Sequence, residues 1–290
     1  MSNDFFDSIP QERSLNYKVI KEELRSVILS SINKIDREFP LDHIDGAQSL
    51  FRRLAYVAKN TYSSILFLCA DNSEKIEFSL SAHPLLRLLL EEVFILIFIS
   101  EDLQTRIDLY HKGGWWKMKE EYDRFSARYH EDPDWVSWLS DYCKYLEKTR
   151  ILFGITPDQV KDHKQIAHWP TPGRMKNKVT SPVLKEHLQY LDDWFYIQFS
   201  QAAHLSFPGL AKMGECLLPD APDEKEAYLK KLRSDSAFQA ITLILAFFSE
   251  IENILRFNLK EKLKYLWTLV GEYWPEAKGL YNKRYKGILT

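Results

Sequence analysis

Two runs of polar residues at helical spacing are the parts of this 290-residue sequence whose residue types could do chemistry. The first run contains His83, Arg87 and Glu91, which follow one another at intervals of four residues. Residues four apart project from the same face of an α-helix, about one turn from each other. Because most of the intervening residues are leucine, we expect these charges to lie in an apolar environment, where an unpaired charge is costly.

The second run contains Tyr196, Ser200 and His204, which are again four residues apart. Two hydroxyls and an imidazole in a column can donate and accept hydrogen bonds, and they would suit a surface that carries Arg87 and Glu91. We therefore predict that the two helices pack together and that these five residues form a buried group, called here the polar cluster.

The polar cluster has two interpretations, and the sequence leaves both open. In the structural one, Arg87 and Glu91 neutralise each other as an ion pair and the hydroxyls form a hydrogen-bonded seam between helices. In the functional one, His204, Arg87 and Glu91 are candidate catalytic residues, because perturbed ionisable groups concentrate at functional sites. The candidate ligand-binding residues are Tyr196, Ser200, His83 and Arg174. Whether the protein is an enzyme stays open.

Two short matches resemble the Arg-x(4–6)-His pattern of the HEPN superfamily of helical prokaryotic ribonucleases. They run from Arg106 to His111 and from Arg124 to His130. In a metal-independent ribonuclease, His204 would be the general acid–base and Arg87 would stabilise charge on the phosphate. That chemistry needs a basic, open cleft, and the net charge of −2 disfavours RNA as a partner.

A run of possible metal ligands occurs at residues 130–134, His-Glu-Asp-Pro-Asp. Carboxylates at the start of a helix are more often caps that complement the helix dipole. The sequence has no P-loop, dinucleotide fingerprint, HExxH or paired CxxC motif. We therefore predict no metal and no cofactor.

The order of three motifs resembles a bacterial all-helical domain-of-unknown-function family, number five-six-seven-seven. The motifs are an Arg-x3-Glu pair in an apolar helix, a Trp-Pro-x3-Arg loop and a Tyr-x3-Ser-x3-His column, at residues 87–91, 169–174 and 196–204. The resemblance covers roughly residues 50–255. It implies a helical bacterial protein, with some members encoded near mobile or defence-related genes. It implies that the polar cluster is a feature shared with that family, but it gives no role for any residue of the cluster.

The elements that must position these residues are predicted to be helices alone. A hydrophobic content of 45% with only 10 Gly and 12 Pro favours a packed all-α protein. We predict a single domain of about eight to ten helices around a central apolar helix near residues 82–100, which packs against a helix over 182–205. Residues 155–180 are predicted to be a long irregular loop and a candidate internal boundary. The other predicted helices cover 11–38, 47–70, 101–129 with a kink at Gly113-Gly114, 135–153, 223–233, 235–257, 260–273 and 275–284.

The same sequence features indicate a cytoplasmic protein that does not associate with a membrane. The acidic N-terminus lacks the pattern of a signal peptide, and the longest apolar runs are too short to span a bilayer. Three cysteines at scattered positions suggest neither disulfides nor a zinc site.

Three functional hypotheses follow. The first is a bacterial cytosolic effector or accessory subunit in phage defence or stress response, which acts through the polar cluster. The second is the metal-independent, HEPN-like ribonuclease. The third is a non-catalytic oligomeric scaffold, with a protein partner or a second copy bound by exposed aromatic residues. The aromatic candidates, which could equally be core residues, are Trp115, Trp116, Trp135 and Trp138.

Overall fold

The computed structural model describes residues 11–38, 46–69, 77, 79–162, 168–196, 199 and 222–290. These residues are predominantly helical and contain no β-strand, which confirms the predicted all-α fold. The α-helices are α1 (Gln11–Glu38), α2 (Gly46–Leu68), α3 (Ala82–Glu101), α4 (Leu103–Tyr129), α5 (Pro133–Leu152), α6 (Pro157–Lys161), α7 (Pro172–Met175), α8 (Pro182–Leu191), α9 (Pro222–Leu255), α10 (Lys260–Tyr273), α11 (Pro275–Leu280) and α12 (Lys286–Leu289).

Two short π-helical turns interrupt the regular helices. The first π-turn, Asp192–Tyr196, continues α8, and the second π-turn, Tyr281–Tyr285, joins α11 to α12. A π-turn carries one extra residue per turn, so it changes the direction in which the following side chains project.

The centre of the fold is the pair α3 and α9, which pack against each other along much of their length. α3 is also covered by α2, α4, α7, α8 and the first π-turn. Its fully buried side chains include Leu86, Leu90, Phe94 and Ile97. The predicted central helix over residues 82–100 is therefore confirmed, and it is central because almost every face is apolar.

α9 is a single helix of 34 residues, so the predicted break between residues 233 and 235 is wrong. The residues around this position, 233–236, contain neither proline nor glycine, and the helix continues through them. Arg233 and Ser236 are buried in the structure. Periodicity alone does not show which neighbours cover a helix, so the burial of these polar residues could not be predicted from it.

One helical segment in the described part of the chain, Lys225–Leu255 within α9, is long and apolar enough to cross a membrane by length and composition. Its most apolar window is 78% buried inside the protein. Core helices of globular proteins meet the same criterion when they are covered on all sides.

The predicted kink at Gly113-Gly114 is also wrong, because α4 runs without interruption from Leu103 to Tyr129. Gly113 instead allows Trp169 to approach the helix closely, since an added Cβ would lie 2.9 Å from the Trp169 backbone nitrogen. Trp169 packs edge-on against Phe98 of α3 and Tyr110 of α4. The glycine therefore serves helix–loop packing instead of helix bending.

The stretch over residues 155–180 contains the short helices α6 and α7 in an otherwise irregular path through its described residues. Its end is fixed to α3 by Glu101, whose carboxylate accepts hydrogen bonds from the backbone nitrogens of Thr180 (2.9 Å) and Ser181 (2.6 Å). Burial alone would raise the pKa of Glu101, but these hydrogen bonds and the charge of Arg106 lower it. The stretch is thus anchored to the central helix.

α4 and α5 form an antiparallel hairpin with a small apolar cluster of its own. Trp115 and Trp116 are buried in it with Leu146 and Ile155, and the Trp115 indole donates to the Leu146 carbonyl at 2.9 Å. Trp135 is half-buried, and only Trp138 of the four candidate tryptophans is exposed. Of the four tryptophans suggested as a binding surface, two therefore belong to the core, one is half-buried and one is exposed.

Candidate functional site

The described part of the polar cluster lies on one face of α3, beside fully buried leucines. Arg87 donates from Nε to Glu91 Oε1 at 2.9 Å, the i, i+4 pair that their spacing predicts. The two side chains keep 18% and 29% of their exposed area, so the pair is half-buried and open to solvent on one side.

Tyr196 joins this pair from 109 residues further along the chain. The Arg87 Nη2 donates to the Tyr196 hydroxyl at 3.2 Å, and the guanidinium carbon lies 5.2 Å from the centre of the tyrosine ring. The ring also meets Phe94 edge-on, with centroids 6.0 Å apart. Arg87, Glu91 and Tyr196 are therefore brought together as the sequence reasoning expected.

The position of Tyr196 depends on the first π-turn, of which it is the last residue. The start of this turn is fixed by Asp192, which is buried and paired with Lys176 near the end of the irregular stretch. π-turns occur often at functional sites, because they re-aim a side chain without ending the helix.

His83 lies one turn before Arg87 on α3 and is half-buried. Its ring is 6.1 Å from that of Phe199, a buried residue in the segment after the first π-turn. The two remaining candidates of the cluster, Ser200 and His204, lie outside the described residues. The described contacts of α3 with this later segment are therefore those with Tyr196 and Phe199.

Arg174 does not join this group in the described part of the chain. It belongs to the one-turn helix α7, its side chain is exposed, and no described ion pair connects it to Glu91. The Trp-Pro-x3-Arg motif that contains it has a structural use instead, because Trp169 fills the space between α3 and α4.

The two ribonuclease-like matches do not form an Arg–His site in the structure. Arg106 is buried over the Phe98 ring, 3.9 Å from its centre, and bonds to Glu101 and to the Phe98 carbonyl. Its match His111 stacks on Phe153. The second match lies on the surface, where Arg124 is paired with Glu121.

Asp132, one of the possible metal ligands, acts as a helix cap. The Asp132 carboxylate accepts a hydrogen bond from the Asp134 backbone nitrogen at 3.0 Å, at the start of α5. Across the residues with described side chains, no group of three or more His, Cys, Asp or Glu could hold a metal ion.

Glu92 is a buried carboxyl that the sequence reasoning did not single out as a site residue. Its side chain is 3% exposed, and neither oxygen has a hydrogen-bond partner among the described residues. Burial raises its pKa to about 8, so the group is mainly protonated near neutral pH. The signal was present as the adjacent pair Glu91-Glu92, since only one of two neighbouring residues can share the face of Arg87.

A second buried polar group, also unforeseen, lies where the C-terminal helices meet α9. Arg284 of the second π-turn donates from Nη2 to Glu250 Oε2 at 2.7 Å and to the Ser100 hydroxyl at 3.4 Å. The neighbouring Tyr285 stacks on Trp267 and meets the ring of His187 at 90°. No sequence motif identifies these residues, because their partners lie far apart in the chain.

Comparisons with protein-family models, with curated proteins and with solved structures found no match. The resemblance to family five-six-seven-seven therefore stays a prediction.

Proposed function

We propose that the protein is a bacterial cytosolic effector or accessory subunit, in phage defence or stress response, that acts through a ligand site at Arg87, Glu91 and Tyr196. The observation that carries the proposal is the half-buried contact between Arg87 and Tyr196, which joins two distant segments at a solvent-accessible edge of the core. The family resemblance supports the biological setting.

The chemistry of this site suits a small polar ligand. Arg87 offers a planar cation for a carboxylate or phosphate, and Glu91 offers an acceptor for a hydroxyl or amine. Tyr196 holds the guanidinium plane by a hydrogen bond and by its ring face. A ligand that binds Arg87 would compete with Glu91 for the guanidinium. Binding would therefore alter an ion pair on α3, the central helix.

The proposal is tested by phage plating on bacteria that express the wild-type chain, Arg87→Ala or Tyr196→Phe. We expect the wild type to reduce plaque formation, Arg87→Ala to lose this protection and Tyr196→Phe to weaken it. Arg124→Ala, which removes an exposed arginine paired on the surface, is the matched control. Survival after heat or oxidative challenge is scored with the same variants for the stress-response role.

Circular dichroism of each purified variant separates loss of function from loss of fold. The proposal fails if Arg87→Ala and His204→Ala both fold normally and keep full activity, or if the wild type protects against neither challenge. Incubation of total RNA with the protein at micromolar concentration tests the alternative, a ribonuclease. Degradation that His204→Ala abolishes would identify a ribonuclease instead.

A further inference from the structure

The outer side of the α4–α5 hairpin carries an exposed apolar stripe along α5. The stripe consists of Trp138, Tyr145 and Leu152, which are 45%, 46% and 47% exposed. They are spaced by seven residues, and residues seven apart lie almost in line along a helix. Three large apolar side chains in one line are the pattern of a helix–helix contact.

In the described part of the chain, α5 has one main neighbour, and the stripe lies away from it. Among the described elements, α5 packs extensively against α4 alone, with Leu139, Leu146 and Thr149 buried between or beside the two helices. The stripe lies to the side of this buried face. At one end it continues across the hairpin, since the Trp138 ring meets Phe125 of α4 at 5.7 Å.

The stripe is symmetric about its middle residue. Trp138 lies seven residues before Tyr145, and Leu152 lies seven residues after it. When two copies of α5 run antiparallel across a two-fold axis at Tyr145, Trp138 of each copy faces Leu152 of the other. A two-fold interface must be self-complementary in this way.

Two charges beside the stripe lie at nearly equal distances from Tyr145. Asp141 lies four residues before Tyr145 and Lys148 lies three residues after it, and both are exposed. In the antiparallel arrangement, Asp141 of each copy, which also pairs with Lys144 of its own helix at 2.9 Å, comes near Lys148 of the other. Opposite charges therefore meet at two places across the interface. A parallel arrangement would instead place Asp141 beside Asp141.

We propose that the protein forms a homodimer in which the α5 stripes of two copies pack antiparallel, so that two α4–α5 hairpins make a four-helix bundle. α5 is 20 residues long, and a helix of that length spans about 30 Å. The dimer is independent of the ligand site at Arg87.

Size-exclusion chromatography with light scattering tests the dimer directly. We expect twice the mass of one chain at micromolar concentration for the wild type. Tyr145→Glu places two like charges on the axis and should weaken dimerisation by more than about tenfold. Tyr265→Glu, which changes an equally exposed tyrosine on α10, is the control and should remain a dimer.

Cysteine cross-linking tests the antiparallel register. In a background with Cys143→Ser and Cys216→Ser, Tyr145→Cys should give a disulfide-linked dimer under mild oxidation, because the two thiols meet on the axis. Ser140→Cys, which is exposed on another face of α5, should not. A monomeric wild type, a dimer that Tyr145→Glu leaves intact, or equal cross-linking of the two cysteine variants would each overturn the proposal.

Discussion

The backbone nitrogen of Trp169 lies against Gly113 of α4, so closely that a Cβ on residue 113 would stand 2.9 Å from it and 3.1 Å from the Trp169 Cβ. The neighbouring Gly114 has no such contact, since nothing lies within 4 Å of the corresponding position. Two adjacent glycines in one helix therefore differ in what they allow.

Substitution of each glycine by alanine should have effects of opposite sign on stability. Gly113→Ala forces Trp169 away from the helix and should destabilise the protein by about 1 to 3 kcal/mol. Gly114→Ala should stabilise it by about 0.5 to 1 kcal/mol, because alanine favours a helix and meets no neighbour. Urea unfolding of both variants measures the difference, and equal effects would contradict the role assigned to Gly113.

Glu92 should make the protein less stable as the pH rises. The folded state keeps this carboxyl protonated up to about pH 8, whereas the unfolded chain releases the proton near pH 4.5. Between these values the folded state binds more protons, so the free energy of unfolding falls with rising pH. Glu92→Gln keeps the shape and cannot ionise, and it should flatten this decline.

The measurement is urea unfolding at about pH 6 and about pH 9. Glu131→Gln, on a side chain that is 89% exposed, serves as the control and should follow the wild type. If Glu92→Gln declines as steeply as the wild type, the carboxyl does not hold its proton in the folded state.

His187 should limit stability on the acid side. Its ring is 1% exposed, and neither nitrogen has a hydrogen-bond partner among the described residues. Burial, and then the charges of Arg284 and Lys283, lower its pKa well below 6.5. The unfolded chain therefore binds a proton below pH 6.5 that the folded state excludes, and stability is lost as the pH falls below this value.

His187→Phe preserves the edge-on packing against Tyr285 and removes the proton. Thermal unfolding between about pH 7 and about pH 5 should show a smaller loss for this variant than for the wild type. His130→Phe, at a 62% exposed position, should not reduce the loss. A parallel decline in His187→Phe would show that another group causes the acid sensitivity.

The ion pair between Glu250 and Arg284 should be far more sensitive to truncation than a surface pair. Glu250 is fully buried and Arg284 is 9% exposed. Glu250→Ala leaves a buried guanidinium without its carboxylate and should destabilise the protein by about 3 to 5 kcal/mol. Glu226→Ala, which breaks the exposed pair with Lys230 at 2.8 Å, should have a much smaller effect, because solvent screens an exposed pair. Chemical denaturation measures the loss of unfolding free energy in both variants. Equal losses would show that the Glu250–Arg284 pair contributes no more to stability than an exposed pair.

Local pattern predicted most of the helices and the Arg87–Glu91 part of the candidate site. Apolar periodicity located α3 within a residue of its bounds, and four-residue spacing predicted the Arg87–Glu91 pair. The contact of this pair with Tyr196 followed from matching one polar face to another. These features depend on residues close in sequence or on polar faces with complementary chemistry. Both can be recognised from the spacing of residues along a helix.

Features that depend on distant neighbours could not be predicted in the same way. The Glu250–Arg284 pair joins residues 34 apart, and nothing in either local sequence marks the partner. The sequence suggested a kink at Gly113 because it could not show that Trp169 packs closely against this position. The first π-turn carries no sequence signal, although it decides where Tyr196 projects.

The pairing of α3 with α9 has a consequence for synthesis of the chain. α3 is synthesised early, whereas its main covering helix follows only at Pro222–Leu255. The core cannot close until that late helix has emerged, because contacts between distant segments must wait for both to exist. The nascent chain therefore carries an incompletely covered apolar helix through much of translation.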